Sequence, residues 1–585
     1  MASSSKSLCV NDIINLLEAD ELSEDTIFLE PPDENITDED SDNDEHTGDI
    51  NHLPASVLKA NVILPKEILN TDNYYESKKK KVVTTKKNRV VVGMKKSQKD
   101  SSQIWREGDL ETPKITELWG PDENSKIKYG SLAPFELFEL FFDDQVFDSI
   151  VQYTNIYASS KNISLDLTKN ELKCFIAILL LSGYNEMSRR RMYWEKAPDT
   201  NNGLVSNAMR RNRFDDIFHN LHFSNNNNLD NSDKYAKIRP LITMINTRFL
   251  MHAPHEEFHS IDESMVPYYG KHGCKQFIRG KPIRFGFKVW VGTLRLGYAL
   301  WISPYQGKNT GFNQTDVGLG GSVILAYANQ IINHRPAPYH LVFDNFFTGV
   351  TLLEKLKSIN IRATGTIRSN RVMKCPIDFG KMKKQPRGSS CSFVSNNAIF
   401  ICCWRDNNIV CLASNTIGTD PISVANRWST FEKKRLRISQ PNIVSVYNKN
   451  MGGVDRMDQN ISQYRIGIRG KKWYSSIVLY IIDLAVQNAW QLHRMYNKNK
   501  MDQLAFRRSI VISYLTRYKT EPTPGRSGGK PSSVIMEIRY DKFEHYLIPQ
   551  DSQTRCGQCH QKTTTRCMKC NIGVHAKCNV LYHTK

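Results

Sequence analysis

The order of strand-like and helix-like segments in the middle of the chain constrains its fold more than any other feature. The stretches FGFKVWVGTL and YALWISPY are rich in β-branched and aromatic residues and are joined by a short turn, which predicts a β-hairpin. A helix, a short apolar strand within PYHLVFDNFF, another helix and another strand follow. This order predicts a mixed α/β sheet covered by helices, a class of fold that carries reactive side chains at strand ends.

Four aspartates stand at positions where such a sheet would bring them together. Asp262 follows a short alternating run, and Asp344 comes directly after the apolar strand. Asp455 and Asp458 are three residues apart behind a Gly-Gly pair, so a helix would place both on one face. Converging carboxylates bind Mg²⁺ or Mn²⁺, and two such ions can cleave a phosphodiester. Each aspartate alone is also typical of a turn or helix start, and spacing alone favours that structural interpretation.

Amphipathic helices are predicted on both sides of the sheet. The segment 132–158 places phenylalanines at helical spacing, and Thr168 with Glu171 has the spacing of a capping box at the start of another helix. A long amphipathic helix is predicted within KKWYSSIVLYIIDLAVQNAWQLHRMY. We interpret the aromatic stripe of the first segment as helical core.

The cysteines near the end of the chain have the spacing of zinc ligands. Two CxxC pairs are followed by further Cys and His residues, namely Cys556, Cys559, Cys567, Cys570, His575, Cys578 and His583. Each CxxC pair lets two thiolates reach one tetrahedral ion, and disulfides are disfavoured inside cells. Seven ligands predict two interleaved Zn²⁺ ions that are one ligand short, and His560 is the candidate eighth. So small a module should need its metal to fold.

The charge is basic overall but unevenly distributed. The net charge is +19, although residues 1–50 contain sixteen acidic residues and one basic residue, a composition typical of disorder. The rest of the chain therefore carries +34, which predicts a polyanionic partner, either nucleic acid or an acidic membrane surface. Residues 78–99 hold ten basic residues and no acidic one, which predicts nuclear import or a DNA-binding arm, with a solvated linker as the alternative.

Membrane insertion and secretion are not expected. The longest uncharged apolar stretch, Cys174–Tyr184, is too short to span a bilayer. The first thirty residues are acidic and lack the pattern of a secretory signal. We therefore expect an intracellular protein whose cysteines are mostly reduced.

A basic–aromatic segment directly follows the second pair of aspartates. Arg465, Arg469, Lys471 and Lys472 are interleaved with aromatic residues that include Trp473. Basic side chains follow phosphates and aromatic rings stack on unpaired bases, so the segment is a candidate DNA-binding element. Alternatively, Trp473 begins the buried face of the helix that follows.

The chain resembles the piggyBac family of cut-and-paste DNA transposases and, within it, proteins derived from such elements. The resemblance rests on motifs found in the family order between about residue 130 and the end of the chain. These motifs are LAPFELFELFFDD, SIDESM, QFIRGKPIRFGFKVW, FDNFFTG, IRATGTIR, GGVDRMDQ and the cysteine cluster. The resemblance implies that Asp262, Asp344 and Asp455 are the three catalytic aspartates and that Asp458 is an additional one.

The resemblance also implies a domain organisation. It predicts an RNase H-like catalytic core with an insertion, flanked by a helical dimerisation and DNA-binding domain and followed by a zinc-binding cross-brace domain. The predicted ranges are 1–105 (disordered), 106–257 (helical, first part), 258–371 (catalytic, first part), 372–440 (insertion), 441–460 (catalytic, second part), 461–520 (helical, second part), 521–550 (linker) and 551–585 (zinc-binding).

The reaction implied by the resemblance is cleavage and transfer of DNA strands at TTAA sites through a hairpin intermediate, dependent on Mg²⁺ or Mn²⁺. The implied partners are double-stranded DNA and a second copy of the chain, and the expected location is the nucleus. Two alternatives stay open. The first is a domesticated DNA-binding or chromatin protein that no longer transposes, and the second is a histone-tail reader built on the cross-brace module.

Overall fold

A computed structural model describes most of the chain as two compact units, Met1–Thr520 and Glu521–Lys585. The described residues are 103–111, 119–120, 123–278, 281–307, 312, 316–429, 432–519 and 539–584, together with two short strands at 26–29 and 62–63. The two strands fall inside the range 1–105 that we predicted to be disordered. Residues 103–105 of that range are described as well, whereas the basic run 78–99 and residues 521–538 of the predicted linker 521–550 lie outside the described residues.

Helices precede, interrupt and follow the strands in sequence. In chain order they are α1 (Glu123–Gly130), α2 (Pro134–Glu139), α3 (Asp144–Ser160), α4 (Lys169–Leu181), α5 (Gly203–Ala208), α6 (Arg211–Asn220), α7 (Arg239–Met251), α8 (Gly318–His334), α9 (Val350–Ser358), α10 (Phe379–Lys384), α11 (Asn442–Asn450), α12 (Gly453–Gln463), α13 (Ser475–Tyr496) and α14 (Gln503–Arg517). Helix α13 packs against α1 and α2, and α14 packs against α2 and α4. The helices before the sheet and those after it therefore share one core.

Local sequence signals explain where these helices begin. The capping box predicted for α4 is present: the Glu171 N–H donates to Thr168 Oγ1 at 3.3 Å, and the Thr168 N–H donates to Glu171 Oε2 at 3.1 Å. The segment predicted as one helix at 132–158 is instead two helices. The second begins at Asp144 and is capped by Asp143, whose side chain accepts the Val146 N–H at 3.0 Å.

One sheet of twelve strands forms the centre of the larger unit. Its strands are β1 (Thr26–Leu29), β2 (Val62–Ile63), β3 (Trp105–Glu107), β4 (Phe258–Pro267), β5 (Lys275–Ile278), β6 (Phe285–Leu294), β7 (Ala299–Pro304), β8 (His340–Phe343), β9 (Arg362–Thr366), β10 (Ser390–Ser395), β11 (Phe400–Arg405) and β12 (Ile409–Ser414). The order is β2-β1-β5-β6-β4-β8-β9-β12-β11-β10-β3, with β7 also paired to β6. The predicted hairpin is the β6–β7 pair, and β8 is fully buried, as a strand covered on both faces should be.

The residues predicted as a separate insertion at 372–440 continue the central sheet. Strand β12 pairs antiparallel with β9, and β10 and β11 extend the sheet from there. Strand β3, on the boundary of the range predicted to be disordered, pairs with β10. Only β13 (Ser423–Ser429) and β14 (Lys434–Gln440) form a sheet of their own within this range. Residues 390–414 thus extend the same sheet, and β13 and β14 form a hairpin packed against it.

The described residues of the smaller unit, 539–584, include a two-stranded sheet and the helix that follows it. They are β15 (Leu547–Arg555), β16 (Lys562–Cys567) and α15 (Ala576–His583). Its hydrophobic cluster is small and includes Cys556, Val574, Cys578 and Tyr582. Across the described part of the whole chain, no helix has the length and apolar character needed to cross a membrane.

Candidate active site and metal sites

Two of the predicted aspartates are brought together by the register of neighbouring strands. Strands β4 and β8 are parallel, and Ile261 is paired with Phe343. The residue after Ile261 is Asp262 and the residue after Phe343 is Asp344, so the two aspartates are neighbours on adjacent chain segments. The sequence suggested that Asp262 ends its strand, but β4 continues to Pro267, whereas β8 stops at Phe343. The Asp262 carboxylate therefore lies near the loop that begins at Asp344, close enough for the Asp344 charge to raise its pKa.

Helix α12 carries the other two aspartates to the same sheet. Asp455 lies in its first turn and Asp458 one turn later, as the spacing predicted. A Cβ on Gly453 would lie 2.4 Å from Thr293 Oγ1 and 2.5 Å from the Leu294 carbonyl oxygen, so only glycine allows this approach to β6. The preceding Gly452 has a φ of +97°, which favours glycine at the helix start. The Gly-Gly pair therefore sets both the direction and the distance of α12.

Lys281 lies between the carboxylates that these elements bring together. Its Nζ is 3.7 Å from Asp262 Oδ2 and 4.0 Å from Asp455 Oδ1. It also donates to the Glu263 carbonyl oxygen at 3.2 Å. Asp458 is held separately, because the Ser264 hydroxyl donates to its Oδ1 at 2.6 Å. Lys281 is not marked by any spacing in the sequence, although it stands in the RGKP stretch of a motif that carries the resemblance.

Burial makes this acidic centre costly to ionise. Burial raises the pKa of Asp262 well above its usual value, and the charge of Glu263 adds to the effect. The pKa of Asp344 is raised for the same two reasons. Burial also raises the pKa of Asp458 to about 6, against the lowering effect of the Ser264 hydrogen bond. For Lys281, burial is outweighed by the surrounding negative charge, first that of Asp262, so its pKa rises. A bound cation would relieve the cost that these carboxylates share.

Further side chains around the centre also escaped sequence reasoning. Lys288 is buried among aromatic rings, with its Nζ 4.1 Å from the Trp290 ring centroid and 4.8 Å from that of Phe346. Burial lowers its pKa, while the charges of Glu263, Asp262 and Asp344 oppose that shift. The pKa of Tyr447 in α11 is raised to about 12, mainly by burial. The negative charges of Asp344, Asp262 and Asp455 add to this rise. None of these residues stands in a recognisable spacing, so only the packing of distant segments reveals them.

The loop after Asp344 is fixed by its own hydrogen bonds and by two arginines. Asp344 Oδ1 accepts the Phe346 N–H at 2.9 Å. Arg371 Nη1 donates to the Phe346 carbonyl oxygen at 2.8 Å, and Arg368 Nε donates to Asn345 Oδ1 at 3.0 Å. The charge of Arg368 also lowers the pKa of Asp344, against burial. Asp344 therefore has a defined orientation, and a positive charge is close to it.

The predicted basic–aromatic segment is divided by the structure. Arg465 lies close enough to Asp458 to lower the pKa of that carboxyl, while Arg469 and Lys471 are exposed. Lys472 instead turns to the helices, donating to the His219 carbonyl oxygen at 2.6 Å. Trp473 is half-buried, with its ring centroid 4.6 Å from that of His272. This packing favours the alternative in which Trp473 begins the core face of α13.

The smaller unit brings its cysteines and histidines together as two groups of four. One group contains Cys556, Cys559, His575 and Cys578, and the other contains His545, Cys567, Cys570 and His583. Within each group the candidate ligand atoms all lie within 4.8 Å of one another. Sulfur and nitrogen ligands of a tetrahedral Zn²⁺ ion are about 3.3–3.8 Å apart, given bonds of about 2.0–2.3 Å. Cys559 Sγ to His575 Nδ1 at 3.3 Å and Cys570 Sγ to His545 Nδ1 at 3.5 Å agree with that spacing.

His545, not His560, completes the second group. His560, the candidate eighth ligand, is exposed and lies outside both groups, and His545 occupies the place for which His560 was considered. His545 precedes the first CxxC pair and the predicted domain boundary at 551, and no local spacing marks it. It reaches the group because Met568, which follows β16, donates its N–H to the Tyr546 carbonyl oxygen at 2.8 Å, fixing the start of β15 there.

The outer ring nitrogen of each histidine has a partner, which suits metal ligands. His545 Nε2 donates to Asp541 Oδ1 at 2.9 Å, and His575 Nε2 donates to the Lys562 carbonyl oxygen at 3.0 Å. His583 Nδ1 donates to the Arg539 carbonyl oxygen at 2.9 Å, and its Nε2 is buried without a hydrogen-bond partner among the described residues. Such outer bonds fix the tautomer of a ligating histidine. His583 Nδ1 is also the ring nitrogen that lies 4.0 Å from Cys570 Sγ.

Comparison with known proteins identifies the family. Residues 133–490 match the family model described as Transposase IS4. The human protein named PiggyBac transposable element-derived protein 3 is 41% identical over 594 aligned residues, covering 99% of this chain and 100% of that protein. This chain belongs to the piggyBac transposase family. Human PiggyBac transposable element-derived protein 2 is 42% identical to this piggyBac-family chain, with 96% of this chain and 93% of that protein covered.

The fold of this piggyBac-family chain is also similar to a solved structure. That structure is the cryo-EM synaptic complex of piggyBac transposase with hairpin DNA. The TM-score is 0.57 at 20% sequence identity, and the match covers 79% of this chain and 100% of that one. At this level of identity the likeness concerns the fold.

Proposed function

We propose that this piggyBac-family chain is a nuclear DNA-binding protein whose four aspartates catalyse cleavage and transfer of DNA strands. The observation that carries the proposal is that four aspartates from three distant segments meet: Asp262, Asp455 and Asp458 surround Lys281, and Asp344 lies close enough to Asp262 for its charge to raise the pKa of Asp262. Carboxylates that were only turn formers or helix caps would have no reason to meet in one partly buried place. We further propose that the reaction takes place at TTAA sites and passes through hairpin ends, as in the family.

The strand order supports an RNase H-like catalytic core. Strands β7, β6 and β4 are antiparallel neighbours, and β8 and β9 follow parallel to β4. Asp262 then lies on the first strand of the core, β4, and Asp344 directly follows the fourth, β8. Asp455 and Asp458 lie on α12, which packs against β4. This strand order supports the RNase H-like core that the resemblance predicts.

The donor set fits Mg²⁺ or Mn²⁺. Four carboxylates offer oxygen ligands only, which such ions prefer, and burial raises the pKa of three of them, so a divalent cation would be favoured there. When bound, these ions activate the attacking oxygen and stabilise the leaving oxygen of a phosphodiester. Asp262 and Asp344 would hold them from the sheet, and Asp455 and Asp458 from α12.

Basic residues of the chain would orient the DNA strand. Lys281 stands at the edge of the carboxylate group, with 22% of its side chain exposed, so it can neutralise a phosphate as well as the acids. Arg368 lies near Asp344 and Arg465 near Asp458, on two sides of the centre. A phosphate bound among these three cations would lie beside the carboxylates, oriented for in-line attack.

We propose that the smaller unit binds two Zn²⁺ ions, one in each group of four ligands, and helps the chain to recognise DNA ends. Soft thiolates with imidazoles suit Zn²⁺, and the small hydrophobic cluster leaves the fold dependent on the ions. We also propose that the chain acts as a homodimer, because cutting both ends of one element requires two active centres. The basic run 78–99 supports import into the nucleus.

The names of the human relatives favour a second candidate function. Both are called transposable element-derived, which suits a chromatin or DNA-binding protein that uses the scaffold without transposing. The two candidates differ in whether the carboxylate centre cuts DNA.

Cleavage of TTAA-flanked duplexes by the full chain decides between them. The assay compares wild type, Asp344→Asn and the exposed control Asp216→Asn with Mg²⁺ or Mn²⁺. We expect metal-dependent nicking by wild type and the control and about a thousandfold loss in Asp344→Asn, the scale on which metal and electrostatic stabilisation act. Cleavage by Asp344→Asn at the wild-type rate would refute the catalytic proposal, and DNA binding without cleavage by wild type would favour the second candidate.

A further inference from the structure

The hairpin of β13 and β14 turns one face to the protein and the other to solvent. Ala425 and Ile438 point inward and pack in a second hydrophobic cluster. Side chains alternate along a strand, so Val424 and Trp428 point outward and are 53% and 58% exposed. A tryptophan with more than half of its surface in water leaves a large apolar area uncovered, and such areas mark binding surfaces.

The hairpin is held firmly from its inward side. Arg427 Nε donates to Asp406 Oδ2 at 3.0 Å, and Asp406 also accepts from Arg387 at 2.6 Å. Trp404 Nε1 donates to the Ser439 carbonyl oxygen at 2.8 Å. These bonds join the hairpin to strand β11 and to the residues around it. The outward direction of Trp428 is therefore fixed by packing on the other face.

Basic residues share the outward face with Trp428. Arg435 is the cross-strand partner of Trp428, and Arg437 is the partner of Asn426, so these side chains lie on one side of the hairpin. Both arginines are exposed, and neither forms an ion pair with a described carboxylate. The adjacent Glu432 is occupied by Lys434, at 2.7 Å. The outward face thus combines free positive charge with one large aromatic ring.

We propose that this face, the Trp428 ribbon (Val424, Asn426, Trp428, Arg435 and Arg437), is a DNA contact separate from the carboxylate centre. The inference rests on the proposed function, because DNA is the substrate in both. The two arginines bind phosphates, and the indole packs against a base or a deoxyribose. A two-stranded antiparallel ribbon also has the dimensions to enter a major groove.

The charge of the ribbon favours DNA over the other occupants. In a two-fold contact through this face, the basic patch of Arg435 and Arg437 would lie against the same basic patch of the second copy, and like charges at an interface are costly. A polyanion instead gains from every one of these cations. The hairpin also leads directly into α11, which contacts β4 and ends shortly before α12 begins. DNA held by the ribbon is therefore connected through one short helix to the segment that carries Asp455.

Salt-dependent DNA binding by the full chain tests the inference. Fluorescence anisotropy with a labelled TTAA duplex, without Mg²⁺, gives the slope of log affinity against log salt. We expect Arg435→Gln/Arg437→Gln to reduce the slope by about 1.8, since each phosphate contact contributes about 0.9. Trp428→Ala should weaken binding about tenfold, the size of a lost stacking contact, with the slope unchanged. Trp428→Phe should restore most of that loss.

The controls are Lys498→Gln/Lys500→Gln, which removes the same charge from another exposed loop, and circular dichroism to verify folding. Equal affinity and slope in wild type and in the ribbon variants would overturn the inference. So would a change in mass by light scattering in Trp428→Ala with DNA affinity unaltered, because the ribbon would then be a protein interface. Cleavage that survives Asp344→Asn would refute the proposed function alone, whereas ribbon variants that bind normally while wild type cleaves would refute only this inference.

Discussion

The carboxylate of Asp458 should make the protein less stable at neutral pH than at acid pH when no divalent ion is bound. Burial raises its pKa from 3.8 to about 6. Between these pH values the folded chain binds more protons at this site than the unfolded chain, so stability falls as pH rises through the window. A pKa rise of this size lowers the free energy of unfolding by about 3 kcal/mol above pH 6.

Asp458→Asn should therefore stabilise the metal-free protein. The amide is neutral at every pH and its oxygen can still accept the Ser264 hydroxyl, which is 2.6 Å from Asp458 Oδ1. The gain in free energy of unfolding should be at most about 3 kcal/mol at pH 8 and about half of that at pH 5, where wild type is already partly protonated. With Mn²⁺ present the gain should vanish, because the ion stabilises the carboxylate of wild type only.

Urea unfolding followed by tryptophan fluorescence measures this difference. The buffer should lack Mg²⁺ but contain no chelator, so that Zn²⁺ proposed for the smaller unit is retained. Asp216→Asn, which neutralises an exposed carboxylate elsewhere, is the matched control and should change stability little at either pH. An equal gain at pH 5 and pH 8, or no gain at pH 8, would refute the reasoning.

Three further substitutions test other parts of the site. Lys281→Met removes the cation between Asp262 and Asp455 and should lower the free energy of unfolding by about 1.5–3 kcal/mol at pH 8 without metal. Mn²⁺ should then raise the melting temperature of the variant more than that of wild type. An unchanged melting curve would contradict the position assigned to Lys281. His545→Ala should lower bound zinc from about two ions to one per chain by metal analysis, while His560→Ala keeps both; the reverse result would restore His560 as the ligand. Gly453→Ala should displace α12 and abolish cleavage, and it should lower the free energy of unfolding by about 1–3 kcal/mol. At Gly452 no atom lies within 4 Å of an added Cβ, so Gly452→Ala should cost only the strain of its positive φ. Equal activity in both variants would argue against the close approach of α12 to β6.

Much of the fold follows from patterns that are local in sequence. The β6–β7 hairpin, the buried strand β8 and the capping box of α4 each depend on residues within a few positions of one another. Asp455 and Asp458 also share a helix face, as their spacing predicts. Local periodicity was sufficient in these cases because the interactions that define each element lie inside it.

Features that depend on distant segments were missed. Strand β3 pairs with β10, which lies far along the chain, and no pattern in the sequence WRE predicts that pairing. Lys281 looks like one of many surface cations until β4 and α12 surround it with carboxylates. His545 joins its group of candidate metal ligands only because the chain folds back at β16. In each case the decisive partner is supplied by tertiary packing, which composition and spacing do not specify.

The location of bound manganese tests the central claim most directly. Crystals of the full chain grown with Mn²⁺ and measured at the manganese absorption edge would show where the ion lies, and a second data set above the zinc edge would distinguish the Zn²⁺ proposed for the smaller unit. We predict an anomalous peak within ligand distance of the Asp262 and Asp344 carboxylates, close to α12, and its loss in Asp344→Asn. Density at the two Cys and His groups with none beside the aspartates would contradict the account, because the carboxylates would then meet without binding a catalytic metal.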